Sequence, residues 1–474
     1  MPLNPLTTTW PLLLGMGILM LGAGLQGTIL GLRATLEGFP TPVTGLVMSC
    51  YYVGYLLGTL IAPRLLRRIG HVRVFAALAA LASVASLVHA SWVHPLPWGA
   101  MRLISGLCFA GIYVVAESWL NDRATRTNRG RLLAVYMLVL YVGLGAAQFL
   151  LLLSSPQTAA PFMLVSALIS LAMVPIVASA QQTPERAVPH PVRYRDLYRN
   201  SPLGVVAVAV SGMISSIIFA MGPVYARLSG SGTRGVAVFM AVSILAAVLT
   251  QYPVGRVSDR MDRRTVIASV CTLATLVAIG IVAFGPLPRP VFLVLAALFS
   301  GSALTLYSLA VSHVNDKLEP AQMVAASSAL LQMNGTAAAV GPVLAALFSG
   351  SALTLYSLAV SHVNDKLEPA QMVAASSALL MMNGMAAAAG PALTGSLMAA
   401  FGPSAYFATL ATLTGALTVY DLWRKAQRSP VPRAQKGPFI NTQQIVNCAG
   451  LDPGGVQVAP SGSVKAAEAA RLSP

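Results

Sequence analysis

Long apolar blocks separated by short polar segments cover most of the chain. A helix that crosses a bilayer needs about 20 mostly apolar residues, and fourteen blocks approach or reach that length. They lie at residues 11–32, 44–62, 72–94, 98–120, 131–154, 160–180, 202–226, 234–254, 266–286, 291–312, 322–343, 344–361, 371–399 and 404–423. The pattern predicts an all-α protein that crosses a membrane many times.

The composition favours lipid as the solvent for most of this chain. Hydrophobic residues make up 56% of the sequence and charged residues 9%, and the mean hydropathy is +0.72. A soluble domain carries about a quarter of its residues as charges, so 9% is too few to coat a globular surface in water. Residues 1–9 contain no Lys or Arg, so the first block lacks the charged region of a signal peptide and is interpreted as a retained membrane helix.

The net charge of +16 is distributed unevenly along the chain. On a soluble protein such a charge would suggest nucleic acid as a partner. Here the basic residues fall in short runs between apolar blocks, which is typical of the positive-inside bias of membrane proteins. If successive spans cross the membrane in opposite directions, five of these basic runs lie on the same side of the membrane. The loops on the other side then hold only Arg33, Arg227, Arg234 and Arg289. We therefore predict cytoplasmic N- and C-termini, a lipid bilayer as the surroundings and no nucleic-acid partner.

The blocks divide the chain into two halves. Residues 1–180 hold six spans, residues 181–201 form a polar basic linker, and residues 202–428 hold the remaining spans. This plan is typical of transporters with internal pseudo-symmetry, and it predicts two six-helix bundles joined by a cytoplasmic linker. Residues 429–474 lack apolar periodicity and are predicted to be a disordered cytoplasmic tail.

A tandem duplication interrupts the second half. Residues Leu295–Leu331 recur unchanged as Leu344–Leu380, and looser similarity extends the repeat to units 295–343 and 344–392. Such identity indicates a recent duplication or an assembly or cloning error. Removing one unit would leave twelve candidate spans and would not change the sides on which later loops lie. We predict that the additional copy forms an extra helical hairpin.

The reactive residue types show no arrangement typical of an enzyme. Cys50, Cys108, Cys271 and Cys448 fit neither a metal cluster nor a disulfide framework. His313 and its repeat His362 lie alone at span ends. The sequence therefore predicts no enzymatic activity, no metal and no cofactor. It also lacks the ring of charges expected of a channel.

Two loops resemble a family signature. The segment after the eighth span begins at Gly255 and contains Asp259, Arg260, Arg263 and Arg264. It resembles the signature Gly-x-x-x-Asp-Arg-x-Gly-Arg-Arg of the major facilitator superfamily, with Asp262 where glycine is usual. The corresponding first-half loop lacks the acid but keeps the glycines and arginines, namely Gly58, Arg64, Arg67, Arg68 and Gly70. The resemblance implies a cytoplasmic latch, while the alternative is that these charges only orient the chain.

The fourth span carries a second resemblance. Arg102-x-x-x-Gly106 resembles the fourth-helix motif of the same superfamily. On a helix, Tyr113 lies about 20° and Glu117 about 60° around the axis from Arg102, so all share one face. A charge inside a span is costly and usually faces a cavity or a partner, so Arg102 is predicted to bind an anionic substrate group or to set a carboxylate's protonation. The alternative is that Arg102 snorkels to the outer interface.

Glu117 lies near the cytoplasmic end of the fourth span. We predict that it pairs with the first-half arginines as part of the gate, with proton coupling as a second role. An exposed interfacial carboxylate is the alternative.

Other polar residues lie inside apolar blocks on several helices. The candidates for a substrate cavity, besides Arg102 and Tyr113, are Gln26, Tyr141, Gln148, Ser215 and Asn383. A polar residue of this kind more often packs between helices than binds a substrate. The distribution of these residues over the first, fourth, fifth, seventh and penultimate helices nevertheless predicts a cavity near the bilayer midplane. The pattern Gly384, Gly390-Pro391 and Gly395 resembles the eleventh helix of the superfamily. The fifth-helix pattern of its antiporter branch is missing, which counts against drug/proton antiport.

These features predict secondary active transport of a small solute by alternating access. Coupling to protons is implied by the family resemblance alone. Short loops indicate a bacterial inner membrane, and we expect a monomer. The alternative function is a non-transporting membrane sensor or scaffold with the same fold.

Overall fold

The computed structural model describes residues 5–123, 129–178, 201–315 and 369–427. All regular structure within these ranges is helical. The helices are α1 (Pro5–Leu36), α2 (Thr41–Ile69), α3 (His71–Ser91), α4 (Pro95–Arg123), α5 (Arg129–Leu150), α6 (Ala160–Ala178), α7 (Pro202–Leu228), α8 (Thr233–Arg260), α9 (Arg263–Phe284), α10 (Arg289–Asn315), α11 (Pro369–Phe401) and α12 (Ala405–Gln427).

Most of these helices can cross a membrane. Ten of those described are long and apolar enough to do so, and α5 contributes a shorter apolar stretch, Val135–Leu150. Several helices continue beyond the predicted blocks; α2, for example, extends from the apolar block 44–62 to Ile69. The backbone hydrogen bonds of a helix can continue past the hydrocarbon core into its polar surroundings. An apolar block therefore indicates which residues lie in the hydrocarbon core, and it does not show where the helix ends. The predicted blocks 322–343 and 344–361 lie outside the described residues.

The helices form two bundles, which confirms the predicted fold class. In the first bundle α2 packs on α4, and α1 packs on α5 and α6; in the second, α9 packs on α12, and α8 on α10. The halves meet along α2 with α11, α5 with α8, and α1 with α7. The predicted linker at 181–201 and tail at 429–474 lie almost entirely outside the described residues, so those boundaries stay predictions.

The two repeat units contribute to different helices. Residues 295–315 of the first unit belong to α10, and residues 369–392 of the second unit belong to α11. Residues 316–368 lie outside the described ranges. The extra hairpin therefore stays a prediction.

Glycines bring α2 and α4 into backbone contact. A Cβ at Gly106 of α4 would overlap the carbonyl oxygen of Tyr51, and one at Gly54 of α2 would overlap that of Leu103. Gly58, predicted to belong to the latch, makes the same kind of contact with Leu107. Small residues are the usual means of close helix packing in membranes, where burial of apolar surface does not drive association. Gly58 therefore packs within the first bundle, about three turns before α2 ends.

We call the end of the molecule where α2 meets α3 and α8 meets α9 the basic end, because both junctions carry arginines. The other end, where α1 meets α2, is the opposite end. Large apolar side chains between the two ends point outwards, including Leu81, Leu249 and Leu276. Such an apolar exterior is suited to lipid contact.

Candidate functional site: a central cavity between the halves

A cavity of about 100 Å³ lies between the two bundles, near the middle of α1, α4 and α7. It is about two thirds as large as an engineered apolar cavity, of about 150 Å³, that binds benzene. Its walls come from α1, α2, α4 and α5 of the first half and from α7 and α8 of the second. The lining residues are Ala23, Gly24, Gln26, Gly27, Thr28, Tyr51, Tyr52, Arg102, Phe109, Tyr113, Leu144, Gln148, Ser215, Ser216, Phe219, Ala220, Met240 and Ile244.

Arg102 is held in the cavity wall by helix packing one turn away. Gly106 lets the α4 backbone touch the backbone of Tyr51 on α2. Arg102 lies on the same face of α4, and its guanidinium carbon sits 4.3 Å from the centre of the Tyr51 ring. That geometry is a cation–π contact. Only 5% of Arg102 is exposed, so it does not snorkel to an interface in the described structure.

The other polar groups in the wall are partly paired with each other. Thr28 donates from Oγ1 to Oε1 of Gln148 at 2.7 Å, and Gln148 donates from Nε2 to the carbonyl oxygen of Leu144 at 3.1 Å. Tyr113 donates its hydroxyl to Sδ of Met20 at 3.5 Å. Gln26 is 1% exposed, and its Nε2 has no hydrogen-bond partner among the described residues. The wall therefore combines satisfied polar groups with an unused amide donor.

A π-helical turn shapes the side of the cavity formed by α7. Residues Ile217–Met221 form this turn, directly before Gly222 and Pro223. Proline has no N–H, and its ring clashes with the carbonyl four residues earlier, so the regular α ladder cannot run through this point. The wider turn carries Phe219 into the wall beside Ser215 and Ser216. Such π turns are often found at functional sites.

Five of the seven predicted cavity residues line this one cavity, namely Gln26, Arg102, Tyr113, Gln148 and Ser215. The other two lie elsewhere. Tyr141 accepts a hydrogen bond from Nε2 of Gln251 at 3.1 Å, joining α5 to α8. Asn383 donates from Nδ2 to the carbonyl oxygen of Val208 at 3.2 Å, joining α11 to α7. Both are packing contacts between helices.

The sequence analysis missed several aromatic lining residues. Tyr51, Tyr52, Phe109 and Phe219 face the cavity, but aromatic residues in an apolar block do not stand out from core. The sequence signal available for these lining residues was the adjacent pair Tyr51-Tyr52. This pair lies in the middle of α2, between Ser49, which is polar, and Gly54, which has no side chain.

The second-half signature is mostly helical and not a loop. Gly255, Asp259 and Arg260 lie in the last turns of α8, and α9 begins at Arg263. Asp262 caps α9: its side chain accepts from the backbone N–H of Arg264 at 3.1 Å, and its Oδ2 lies 3.0 Å from Nη2 of Arg264. This N-cap role explains an acid where the family signature has glycine.

A second ion pair joins the two helices of the same signature. Nη2 of Arg263 lies 3.7 Å from Oδ1 of Asp259. Arg263 is almost fully buried, whereas Asp259 is 43% exposed. The pair therefore connects a buried cation to the solvent-facing edge of the basic end.

The first-half signature forms a tight helix junction. Gly70 has φ of +82°, which L residues with side chains rarely adopt, and its N–H donates to the carbonyl oxygen of Leu66. Arg64 and Arg68 are exposed. Glu117 is only 2% exposed, so it is not an interfacial carboxylate. Its predicted pairing with these arginines, and with Arg67, stays a prediction.

A histidine contacts the residue that follows Glu117 on α4. Nε2 of His71, the first residue of α3, lies 2.7 Å from Oγ of Ser118 on α4. Within the described ranges, His, Cys, Asp and Glu form no group of three suited to a metal ion. We therefore see a polar corner at the basic end and a separate, more aromatic cavity at the centre.

The architecture defines a class: a multi-pass helical membrane protein whose two bundles enclose a central cavity. Residues 12–342 match the Major Facilitator Superfamily, and the chain belongs to that superfamily. Curated relatives include an uncharacterized MFS-type transporter of Enterobacter sp. (strain 638), 32% identical over 70% of this chain and 86% of its own length. An uncharacterized MFS-type transporter, YcaD, of Escherichia fergusonii is 30% identical with the same coverage.

Solved structures share this fold at low sequence identity. The nucleoside transporter NupG has a TM-score of 0.66 at 12% identity, covering 88% of this chain and 98% of its own. A bacterial homolog of the human lysosomal transporter Spinster, in an inward-facing and unoccupied conformation, has a TM-score of 0.62 at 13% identity, covering 93% of this chain and 98% of its own. The family and the fold together support membrane transport.

Proposed function

We propose that this chain is a secondary active transporter that moves a small solute across the membrane by alternating access. The supporting observation is the central cavity, whose described walls come from both halves of the protein. A site between two rigid bundles becomes accessible from either side when the bundles rock against each other.

The contacts between the halves suggest where such rocking would open a path. At the opposite end, Gly45 of α2 faces the backbone of Pro391 on α11, and Oγ of Ser49 accepts from the N–H of Ala392 at 3.2 Å. Towards the basic end, the halves meet through the pair Tyr141 and Gln251. We propose that these two sets of contacts break alternately during the cycle.

We propose that the basic end faces the cytoplasm of a bacterium, with the protein in the inner membrane as a monomer. The arginine clusters at this end support that orientation through the positive-inside bias. The residues proposed to latch this end are the arginines and glycines of both signatures together with Asp259 and Glu117.

We propose that protons drive the transport and that Glu117 carries them. Glu117 is a buried carboxylate on α4, on the helix that also bears Arg102. A carboxyl group inside a membrane protein is a common proton relay. Fifteen residues separate it from Arg102, or about 22 Å along the helix, so coupling would act through movement of α4 and not through direct contact.

The transport proposal is tested in proteoliposomes with the full-length protein and a broad panel of solutes. We expect flux with the parent protein, loss of flux with Arg102→Ala, and retained flux with Arg234→Ala, an exposed arginine at the opposite end. Flux with Arg102→Ala would overturn the site assignment but not the class. A folded protein that moves no solute would favour the sensor or scaffold function.

The proton proposal needs a separate measurement. Uptake driven by an imposed pH gradient is compared with solute exchange at equal pH on both sides. We expect Glu117→Gln to abolish the first and keep the second, because a neutral amide occupies the same space but carries no proton. Glu37→Gln, an acid paired with Arg33 near the opposite end, should keep both. Normal gradient-driven uptake in Glu117→Gln would exclude Glu117 as the carrier.

The role of the repeat is tested with a version that lacks residues 344–392. Flux that survives this deletion would support the prediction that one copy suffices for a twelve-helix transporter. A complete loss of folded protein would instead show that both copies are required.

A further inference from the structure

The described lining of the cavity carries a positive charge and no negative charge. Among the described residues that line it, Arg102 is the one charged side chain, and none of these residues is Asp, Glu, Lys or His. The groups that interact electrostatically with Arg102 in the described structure are the phenols of Tyr51 and Tyr52, the thiol of Cys50 and the imidazole of His89, and none of them is a carboxylate. The described part of the chain thus provides a buried cation without a carboxylate partner.

A buried charge without a counterion is energetically costly. Removing an arginine from water costs several kcal/mol unless an opposite charge or hydrogen bonds compensate. The Tyr51 ring covers one face of the guanidinium at 4.3 Å and provides part of that compensation. Nε of Arg102 remains buried without a hydrogen-bond partner among the described residues. A ligand anion would supply the missing counterion.

A second hydrogen-bond donor in the cavity wall also lacks an acceptor among the described residues. Nε2 of Gln26 is a buried donor without a described partner. Among the described lining residues, these two nitrogens are the buried side-chain nitrogen or oxygen atoms without a hydrogen bond. Because both are donors, the complementary ligand is an acceptor, and a carboxylate can accept from an arginine edge and an amide together.

The rest of the wall is suited to a flat apolar body. Tyr52, Phe109, Tyr113 and Phe219 provide aromatic surfaces, and Leu144, Met240 and Ile244 provide aliphatic surface. Rings stack or meet edge to face with such side chains. The cavity volume of about 100 Å³ is of the order that one aromatic ring occupies.

We propose that the transported solute is a small aromatic carboxylate, whose carboxylate binds Arg102 and Gln26 and whose ring packs between Phe109, Tyr113 and Phe219. This proposal rests on the proposed transport function, because it names the substrate class of the same cavity. Arginine selects the carboxylate, and the aromatic wall selects the ring. An inorganic anion or a short aliphatic carboxylate would use only the first of these two contacts.

The probes that test this proposal share one ring and differ in charge. Benzoate, benzamide, benzyl alcohol, benzylamine and acetate are titrated against the purified full-length protein in detergent, with binding followed by calorimetry and by the shift in Tm. We expect benzoate to bind at least about tenfold more tightly than the neutral and cationic ring probes, the size of effect expected for a charged hydrogen bond. Acetate should also bind more weakly than benzoate.

Variants of Arg102 test whether this residue causes the preference for benzoate. Arg102→Gln should abolish the preference for benzoate over benzamide, whereas Arg102→Lys should keep a reduced preference because it retains the charge without the planar fork. Arg234→Gln serves as the exposed-arginine control and should behave like the parent. Size-exclusion chromatography confirms that each variant is folded. An unchanged benzoate preference in Arg102→Gln, or no preference for benzoate in the parent, would overturn the proposal.

Flux measurements separate this inference from the transport proposal. If benzoate binds through Arg102 but no solute moves in proteoliposomes, the anion site stands and transport fails. If the parent and Arg102→Gln both move a neutral or cationic solute, transport stands and the anion assignment fails.

Discussion

The ring of Tyr51 lies beneath the guanidinium of Arg102, 4.3 Å from its central carbon. The pair joins α2 to α4 at the wall of the central cavity. Because the attraction comes from the electron-rich face of the ring and not from the hydroxyl, Tyr51→Phe should leave solute affinity within about twofold. Tyr51→Leu removes the ring, and loss of about 1–2 kcal/mol predicts roughly a five- to thirtyfold rise in KM for flux. Equal effects of both variants would contradict a role for the ring.

A second prediction concerns the glycine that makes this pair possible. A Cβ at Gly106 would overlap the carbonyl oxygen of Tyr51, which is backbone and cannot rotate away. We expect Gly106→Ala to destabilise the protein by about 2 kcal/mol or more, because α2 and α4 must separate. Thermal unfolding in detergent measures the effect.

The control for this prediction is Gly145 on α5. No described atom outside its own helical surroundings lies within 4 Å of the position where its Cβ would be. Gly145→Ala should therefore raise stability slightly, by up to about 1 kcal/mol, because alanine favours a helix more than glycine does. Equal losses at both positions would indicate that helix propensity and not close packing decides the outcome.

A third prediction addresses the N-cap of α9. Asp262→Ala removes the acceptor for the Arg264 N–H and should cost about 1 kcal/mol. Asp262→Asn keeps the cap, and Asp262→Gly, which restores the residue usual in the family signature, should cost only a few tenths of a kcal/mol. Thermal unfolding of the three variants tests this order. If Asp262→Asn is as unstable as Asp262→Ala, the charge pair with Arg264 matters more than the cap.

A fourth prediction concerns closure at the opposite end. A side chain at Gly45 would overlap the backbone at Pro391, and one at Gly395 would overlap Thr41. Gly45→Val should hold α2 and α11 apart, abolish flux and raise the labelling rate of a cysteine introduced at Thr41. Gly280→Val controls for the effect of a Gly-to-Val change in a helix, because no described neighbour lies within 4 Å of a Cβ at Gly280. Normal flux in Gly45→Val would mean that this contact need not form during transport.

The arginines of the signature loops were visible in the sequence, but their local geometry was not. The segment from Gly255 to Arg264 was expected to be a loop, whereas the structure keeps it helical apart from Met261 and Asp262. A signature records residue types and spacing; whether each residue lies in a last helical turn or at a cap depends on backbone hydrogen bonds, which the residue types alone do not specify.

Residue types and their spacing were enough to predict the membrane-spanning helices and the polar residues inside them that merit testing. Lipid offers no hydrogen bonds to the backbone, so long apolar blocks must become helices, and a charge such as Arg102 inside a block must face the protein interior. Which of these polar residues share the cavity depended on how the helices pack together. Gln26 and Ser215 face it, while Tyr141 and Asn383 hold helices together, because the rotation of each helix about its axis is set by packing with its neighbours.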